Sequence, residues 1–252
     1  MRKFLKRQMR YFFARPSVEL ARLWPSHFNL SVMRRLNQIQ LGVEQIALIL
    51  KTIKANSRCR LLIFGLGNDS PFWSTLNREG VTIFLEDNQQ WFEKITKRSP
   101  HLTAFLMTYS TRRTDWKKLL DSPSSLQMAL PRDVEKTKWD VILVDGPAGY
   151  GDDTPGRMKS IYAASRLAAK SADIFTHDCE REVEDAYCKY FLKNENMKVE
   201  IKHPEGWLRH YHMHDYTTLA PTTLGGEDGA WEGIGITLEP AKAVCDPMEV
   251  PR

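Results

Sequence analysis

What the chain lacks narrows it first. Its 252 residues hold only four cysteines, Cys59, Cys179, Cys188 and Cys245, with no C-x-x-C pair. Neither a disulfide framework nor a cysteine zinc site is expected, and a reducing compartment is. No run approaches the roughly 20 apolar residues of a membrane span, so no membrane-spanning helix is expected. There is no internal repeat, and charge of neither sign dominates: 36 Lys and Arg stand against 31 Asp and Glu, a net +5. With 42% hydrophobic and 27% charged residues, the composition is that of an ordinary globular protein with room for one α/β domain.

The small basic excess is concentrated at the start, in MRKFLKRQMRYFFARP, where Arg2, Lys3, Lys6, Arg7 and Arg10 alternate with Phe4, Leu5, Met9, Tyr11, Phe12 and Phe13. Charge interrupts it too often for a signal peptide. Such an arm can lie peripherally on an anionic membrane surface or remain solvated. No base-reading module follows it, so no nucleic-acid partner is expected. From Leu30 to Lys54 the pattern is helical, with Leu36, Ile39, Val43, Ile46, Leu50 and Ile53 forming one stripe, which can pack on a sheet or zip a homodimer.

Beyond Ser57 the period changes. Short apolar runs, RLLIF (60–64), VTIFL (81–85), LTAFLM (102–107), WDVILV (139–144) and ADIFT (172–176), alternate with helical segments. Such runs suit strands buried on both faces. Ser70-Pro71 and Thr154-Pro155 read as N-cap and first helical residue. Residues 180–193 carry acids first and lysines last, as the helix dipole prefers. Two more strands are expected at Lys198–Lys202 and Trp207–Met213. The alternation predicts an α/β, Rossmann-like fold with a mainly parallel, doubly wound sheet and an N-terminal helical extension. The organisation expected is a basic arm and helix over 1–57, the sheet domain over 58–214, and an extended or disordered tail over 215–252.

Candidate site residues fall at strand ends. Gly65 and Gly67, with Asn68 and Asp69 after them, form a Gly-Leu-Gly turn directly behind the first strand. Glycines there let a backbone approach a ligand closely. The third glycine of G-x-G-x-x-G is missing, which argues against a pyrophosphate cofactor. Glu86 and Asp87 end the second strand, about twenty residues on, where an acid can accept from ribose hydroxyls; Asp87 can instead cap the next helix. Together the turn and the acid indicate a nucleoside ligand. Asp145 ends the fourth strand and His177-Asp178 the fifth. In an open sheet these converge on one mouth, where they can hold magnesium, manganese or cobalt, or supply a general base. Arg157 and Arg209 can pair with a uronate. His210 and His212 share one strand face with His214 and can approach an acidic substrate or a metal.

The run LLIFGLGNDSPFWSTLNREGVTIFLED, then TYSTRRTDW, WDVILVDGPAGY, PGRMKSIYAASRLA, DIFTHDCEREVEDAYCKYFL and GWLRHYH resembles the glucuronoxylan 4-O-methyltransferase family and its polysaccharide-biosynthesis relatives. The resemblance covers roughly residues 60–212 in order. It implies S-adenosylmethionine as cofactor, a divalent cation, and methylation of the glucuronic acid 4-hydroxyl of xylan or of a related uronic-acid-containing glycan. It puts Gly65, Gly67 and Glu86 around the cofactor, Asp115 on its adenine side, and Asp145, His177 and Asp178 at the reacting end. Plant members carry His where this chain has Asn68, and they begin with a membrane anchor. With no anchor in this sequence, a cytoplasmic or membrane-peripheral enzyme is expected rather than one in the Golgi lumen. A nucleotide-dependent oxidoreductase of similar fold and a non-catalytic polysaccharide-biosynthesis factor are the competing readings.

Overall fold

The computed structural model describes residue 14 and residues 16–214; most of the basic arm and the whole expected tail, 215–252, lie outside them. Among the described residues, seven strands form one sheet in the order β3-β2-β1-β4-β5-β7-β6. They are β1 (Arg60–Phe64), β2 (Val81–Glu86), β3 (Thr103–Leu106), β4 (Trp139–Val144), β5 (Ala168–Thr176), β6 (Met197–Ile201) and β7 (Leu208–His212). β1 to β5 run parallel, and β7 pairs antiparallel with both β5 and β6.

Apolar runs without alternation form the central strands because both faces are covered. On β1, Leu61 and Ile63 join a core with Ile46, Ile49 and Ile53, while Leu62 and Phe64 join a second core with Met158 and Ile161. β4 divides the same way, Val141 and Leu143 to one side, Ile142 and Val144 to the other. The first core is roofed by two helices, α1 (His27–Asn37) and α2 (Val43–Ala55). The predicted stripe is thus buried against the sheet of its own chain. Among the described residues, no helix is long and apolar enough to cross a membrane.

The expected single helix over Leu30–Lys54 is two. The apolar period continues through the break because Ile39 and Leu41 are buried in the same core. The backbone does not follow it: Gln38 takes a left-handed φ of 56° as the cap of α1, and its N–H donates to Arg34 O. α2 starts anew with Gly42, whose N–H donates to Gln45 Oε1 at 2.7 Å. Local capping overrides the periodicity here. Two other helix starts differ. Helix α3 (Ser70–Leu76) is capped by Asp69, with Pro71 one residue later than expected. Thr154-Pro155 starts no helix, since α5 (Met158–Leu167) is capped by Arg157. Helix α4 (Gln89–Arg98) is capped by Asn88, whose side chain accepts from Trp91 N–H, and not by Asp87. Helix α6 (Glu182–Tyr187) continues as a π-turn through Leu192.

At the far end of the sheet, Arg60 grips Asp140 with Nε to Oδ2 at 2.9 Å and Nη2 to Oδ1 at 2.6 Å, and Arg60 N–H donates to Oδ2. The Arg60 side-chain hydrogen bonds hold the Asp140 carboxyl below its ordinary value. A depressed acid contributes stability that is present above its unfolded pKa and lost as pH falls through the folded one. Asp140→Asn is therefore expected to cost about 1 kcal/mol near neutral pH, a discounted figure for a partly exposed pair. Urea titrations should show the gap to wild type closing as pH drops from about 4, the unfolded value.

Candidate active site

Three strand ends open on a cavity of about 630 Å³. Behind β1, Gly65 adopts φ +116°, and a Cβ there would lie 3.3 Å from Asp145 C and Gly146 N. Glycine is required both by that dihedral and by the crossing backbone. Glu86, ending β2, ties the two loops beside it: Leu66 N–H donates to Oε2 at 2.7 Å and Asn88 N–H to Oε1 at 2.9 Å. Burial raises the Glu86 carboxyl despite those donors. Gly65, Gly67, Asn68, Asp69, Glu86 and Asp87, the residues expected around a nucleoside, all line the cavity. Asp69 accepts from Trp73 Nε1, and burial, with the Asp145 charge, pushes it up to about 6.

Beside this cavity lies a charged cluster built from the β4 and β5 turns. His177 Nδ1 is 3.0 Å from Asp145 Oδ1. Arg157 Nη2 reaches Asp145 Oδ1 at 3.2 Å and Asp178 Oδ2 at 2.6 Å, and Arg181 Nη1 reaches Asp178 Oδ2 at 2.9 Å. Burial works to raise Asp145, but the hydrogen bond and charge of His177, with Arg157 and Arg181, hold it below its ordinary value. Burial also works to lower His177, and Asp145 wins again, leaving the imidazole raised. Asp178 takes a left-handed φ of 62°, and Arg181 rather than Asp178 caps α6. Gly206 closes over the pair: a Cβ there would lie 2.5 Å from Asp178 Oδ1 and 2.7 Å from His177 Nε2.

One atom of each of Asp145, His177 and Asp178 lies within 4.8 Å of the others. The donor set suits a divalent ion in three respects. Asp145 and Asp178 each commit one oxygen to arginine and retain the other. His177 Nε2 is buried without a hydrogen-bond partner among the described residues. Two carboxylates and an imidazole match the ligand chemistry of such ions.

Of the other predicted residues, Arg157 lies within the cluster and the rest lie elsewhere. Asp115 is exposed on a short 3-10 turn and does not line the cavity. Arg157 is 6% exposed at its side chain and bonds His177 O, Asp145 and Asp178, so its guanidinium builds the cluster from inside. Arg209 is paired with Glu200 and Asp185. His210 Nε2 and His212 Nδ1 both contact Asp173 Oδ1, at 2.8 and 2.9 Å, across the β5–β7 ladder. Sequence reasoning missed the roof of the cavity, Gln38 to Leu41, along with Trp91 and Lys94 at its rim. It also missed buried Glu184, which packs by Gly149 and whose oxygens have no hydrogen-bond partner among the described residues. A glutamine three residues after Gly42 was the one local signal for the roof.

A family model described as IRX15/IRX15L/GXM matches residues 44–129 and 124–211. Glucuronoxylan 4-O-methyltransferase 2 of Arabidopsis thaliana is 37% identical over 195 residues, 69% of this chain and 66% of that protein. Arabinogalactan O-methyltransferase 2 of the same plant is 34% identical over 178 residues, 61% of each chain. The chain thus spans about two thirds or less of these relatives' lengths. Among solved structures, a putative caffeoyl-CoA O-methyltransferase from Staphylococcus aureus aligns with a TM-score of 0.50 at 12% identity, covering 80% of this chain and 99% of that one. At that identity the likeness is one of fold, and the fold is the Rossmann-like one expected.

Proposed function

The chain belongs to the IRX15/IRX15L/GXM family, and from that premise we propose that it is an S-adenosylmethionine-dependent O-methyltransferase acting on a hydroxyl of a glycan. The observation that carries the reading is the double position of Asp145, which lines the cavity and also bonds His177 and Arg157. A cofactor lying along the glycine turn toward Glu86 would therefore leave its reactive end beside a fixed carboxylate.

The cavity volume falls within the roughly 300–1,000 Å³ of small-molecule sites. S-adenosylmethionine supplies a methyl group on a cationic sulfur, so transfer needs an oxygen held in line and relieved of one proton. Glu86 is placed to accept from the ribose hydroxyls, and Gly65 lets the backbone approach. Asp145 accepts the hydrogen bond of the acceptor hydroxyl and takes its proton. His177 and Arg157 hold the carboxylate ionised and oriented from the protein side. His177 is buried and does not line the cavity, so it acts through Asp145. Asp145, His177 and Asp178 would hold a divalent cation, which would supply Lewis-acid charge to the cavity from behind Asp145, the one of the three that lines it. The arginines on the same carboxylates would make that ion bind weakly.

The acceptor proposed is the glucuronic acid 4-hydroxyl of glucuronoxylan or a hydroxyl of a related glycan, the substrates named for the two plant relatives. A screen with labelled methyl donor over glucuronoxylan, arabinogalactan and neutral xylan tests this. Label on a uronate-bearing polymer supports the reading; label on none, from protein that binds S-adenosylhomocysteine, refutes the glycan assignment.

A further inference from the structure

The cofactor cavity is closed on one side by the five-residue link between α1 and α2, residues 38–42. Gln38, Ile39, Gln40 and Leu41 all line it. This link has no ladder of its own, yet two of its carbonyls are held by one side chain. Arg34 Nε donates to Leu41 O at 2.7 Å, and Arg34 Nη2 donates to Gln40 O at 3.1 Å. The same Nη2 lies 2.6 Å from Glu205 Oε2. Glu205 precedes Gly206, the residue packed on His177 and Asp178. From the opposite side, Asn68 Nδ2 of the glycine turn donates to Gln38 O at 3.4 Å.

We propose that Arg34 is a positioning residue for the cofactor, fixing residues 38–41 of the link as a roof across its cavity and joining that roof to the loop over His177. The inference rests on the reading that this cavity takes S-adenosylmethionine. Two of the three Arg34 bonds go to backbone oxygens of the link, and a flexible link would have to be ordered each time the cofactor bound. Prepaying that ordering favours binding and leaves the reacting groups untouched. The Glu205 pair is the weaker part, because Glu205 is 53% exposed at its side chain and such pairs contribute little.

Arg34→Met, which keeps the apolar stem, separates this role from general stabilisation. The expected result is a roughly ten-fold rise in KM for S-adenosylmethionine and in Kd for S-adenosylhomocysteine, worth about 1.4 kcal/mol. kcat should stay within about two-fold, and Glu205→Gln should change Kd by less than about three-fold. Faster amide exchange at residues 38–42 in the cofactor-free variant completes the signature. An unchanged Kd in Arg34→Met, or a lowered melting temperature without any KM shift, would overturn the proposal. Failure of the unsubstituted protein to bind S-adenosylhomocysteine would overturn the cofactor reading beneath it, and it is seen before any variant is made.

Discussion

Asp145→Asn is expected to lower kcat by about 10²- to 10⁴-fold, the usual worth of a positioned general base, while the Kd for S-adenosylhomocysteine stays within about three-fold. The asymmetry follows from where Asp145 sits. It follows β4, whereas Glu86 ends β2 on the far side of β1 and ties the loops there. An amide cannot take the proton: with its oxygen at the Oδ1 position, still facing His177 Nδ1 and Arg157 Nη2, its NH₂ group would replace Oδ2. A second consequence can be read by NMR. Asp145 is what raises His177 against burial, so in the variant burial prevails and the imidazole titrates lower. The sign of the stability effect is fixed by the same shifts. Depressed Asp145 contributes above its unfolded pKa, and raised His177 contributes below its own. The pair is thus worth most between about pH 4 and 6.5, and the wild-type advantage in urea should narrow on both sides. Near-normal turnover in Asp145→Asn would place the chemistry elsewhere.

Glu86→Ala is expected to weaken S-adenosylhomocysteine binding by about 100-fold, or about 2.7 kcal/mol. A carboxylate offers about four acceptor sites. Leu66 and Asn88 N–H use one on each oxygen, leaving capacity for two ribose hydroxyls. Alanine removes the ligand contacts and frees both loops together. Glu86→Gln keeps the volume and one acceptor oxygen but turns its NH₂ toward Leu66 or Asn88 N–H, so an intermediate loss of affinity is expected, with a melting temperature below wild type. Calorimetry on both variants checks the order. Equal affinity in wild type and Glu86→Ala would remove Glu86 from the cofactor site.

The strand ends were legible because a parallel sheet writes them twice. RLLIF and WDVILV are continuous apolar runs between two cores, and the residue after each run lies at the carboxyl edge where ligands bind. Gly65, Glu86, Asp145 and the His177-Asp178 pair could all be read that way. What could not be read depends on contacts across long stretches of chain. Arg34 meets Glu205, and Gln45 Nε2 donates to Gly206 O at 2.8 Å, with no local period to announce either. The helix break at Gln38 was masked because Ile39 and Leu41 remain apolar and buried while the backbone turns. Arg157 looked available for a uronate because a guanidinium suits any carboxylate. Here the carboxylates it meets are Asp145 and Asp178, within its own fold.

The central claim is that the cavity between β1, β2 and β4 is built for S-adenosylmethionine. Isothermal titration of the full chain with S-adenosylhomocysteine, with NADH as the competing nucleotide, tests it most directly. The account predicts one saturable site for S-adenosylhomocysteine, weakened in Glu86→Ala, and no heat from NADH. Saturable NADH binding, with none of S-adenosylhomocysteine, would contradict it.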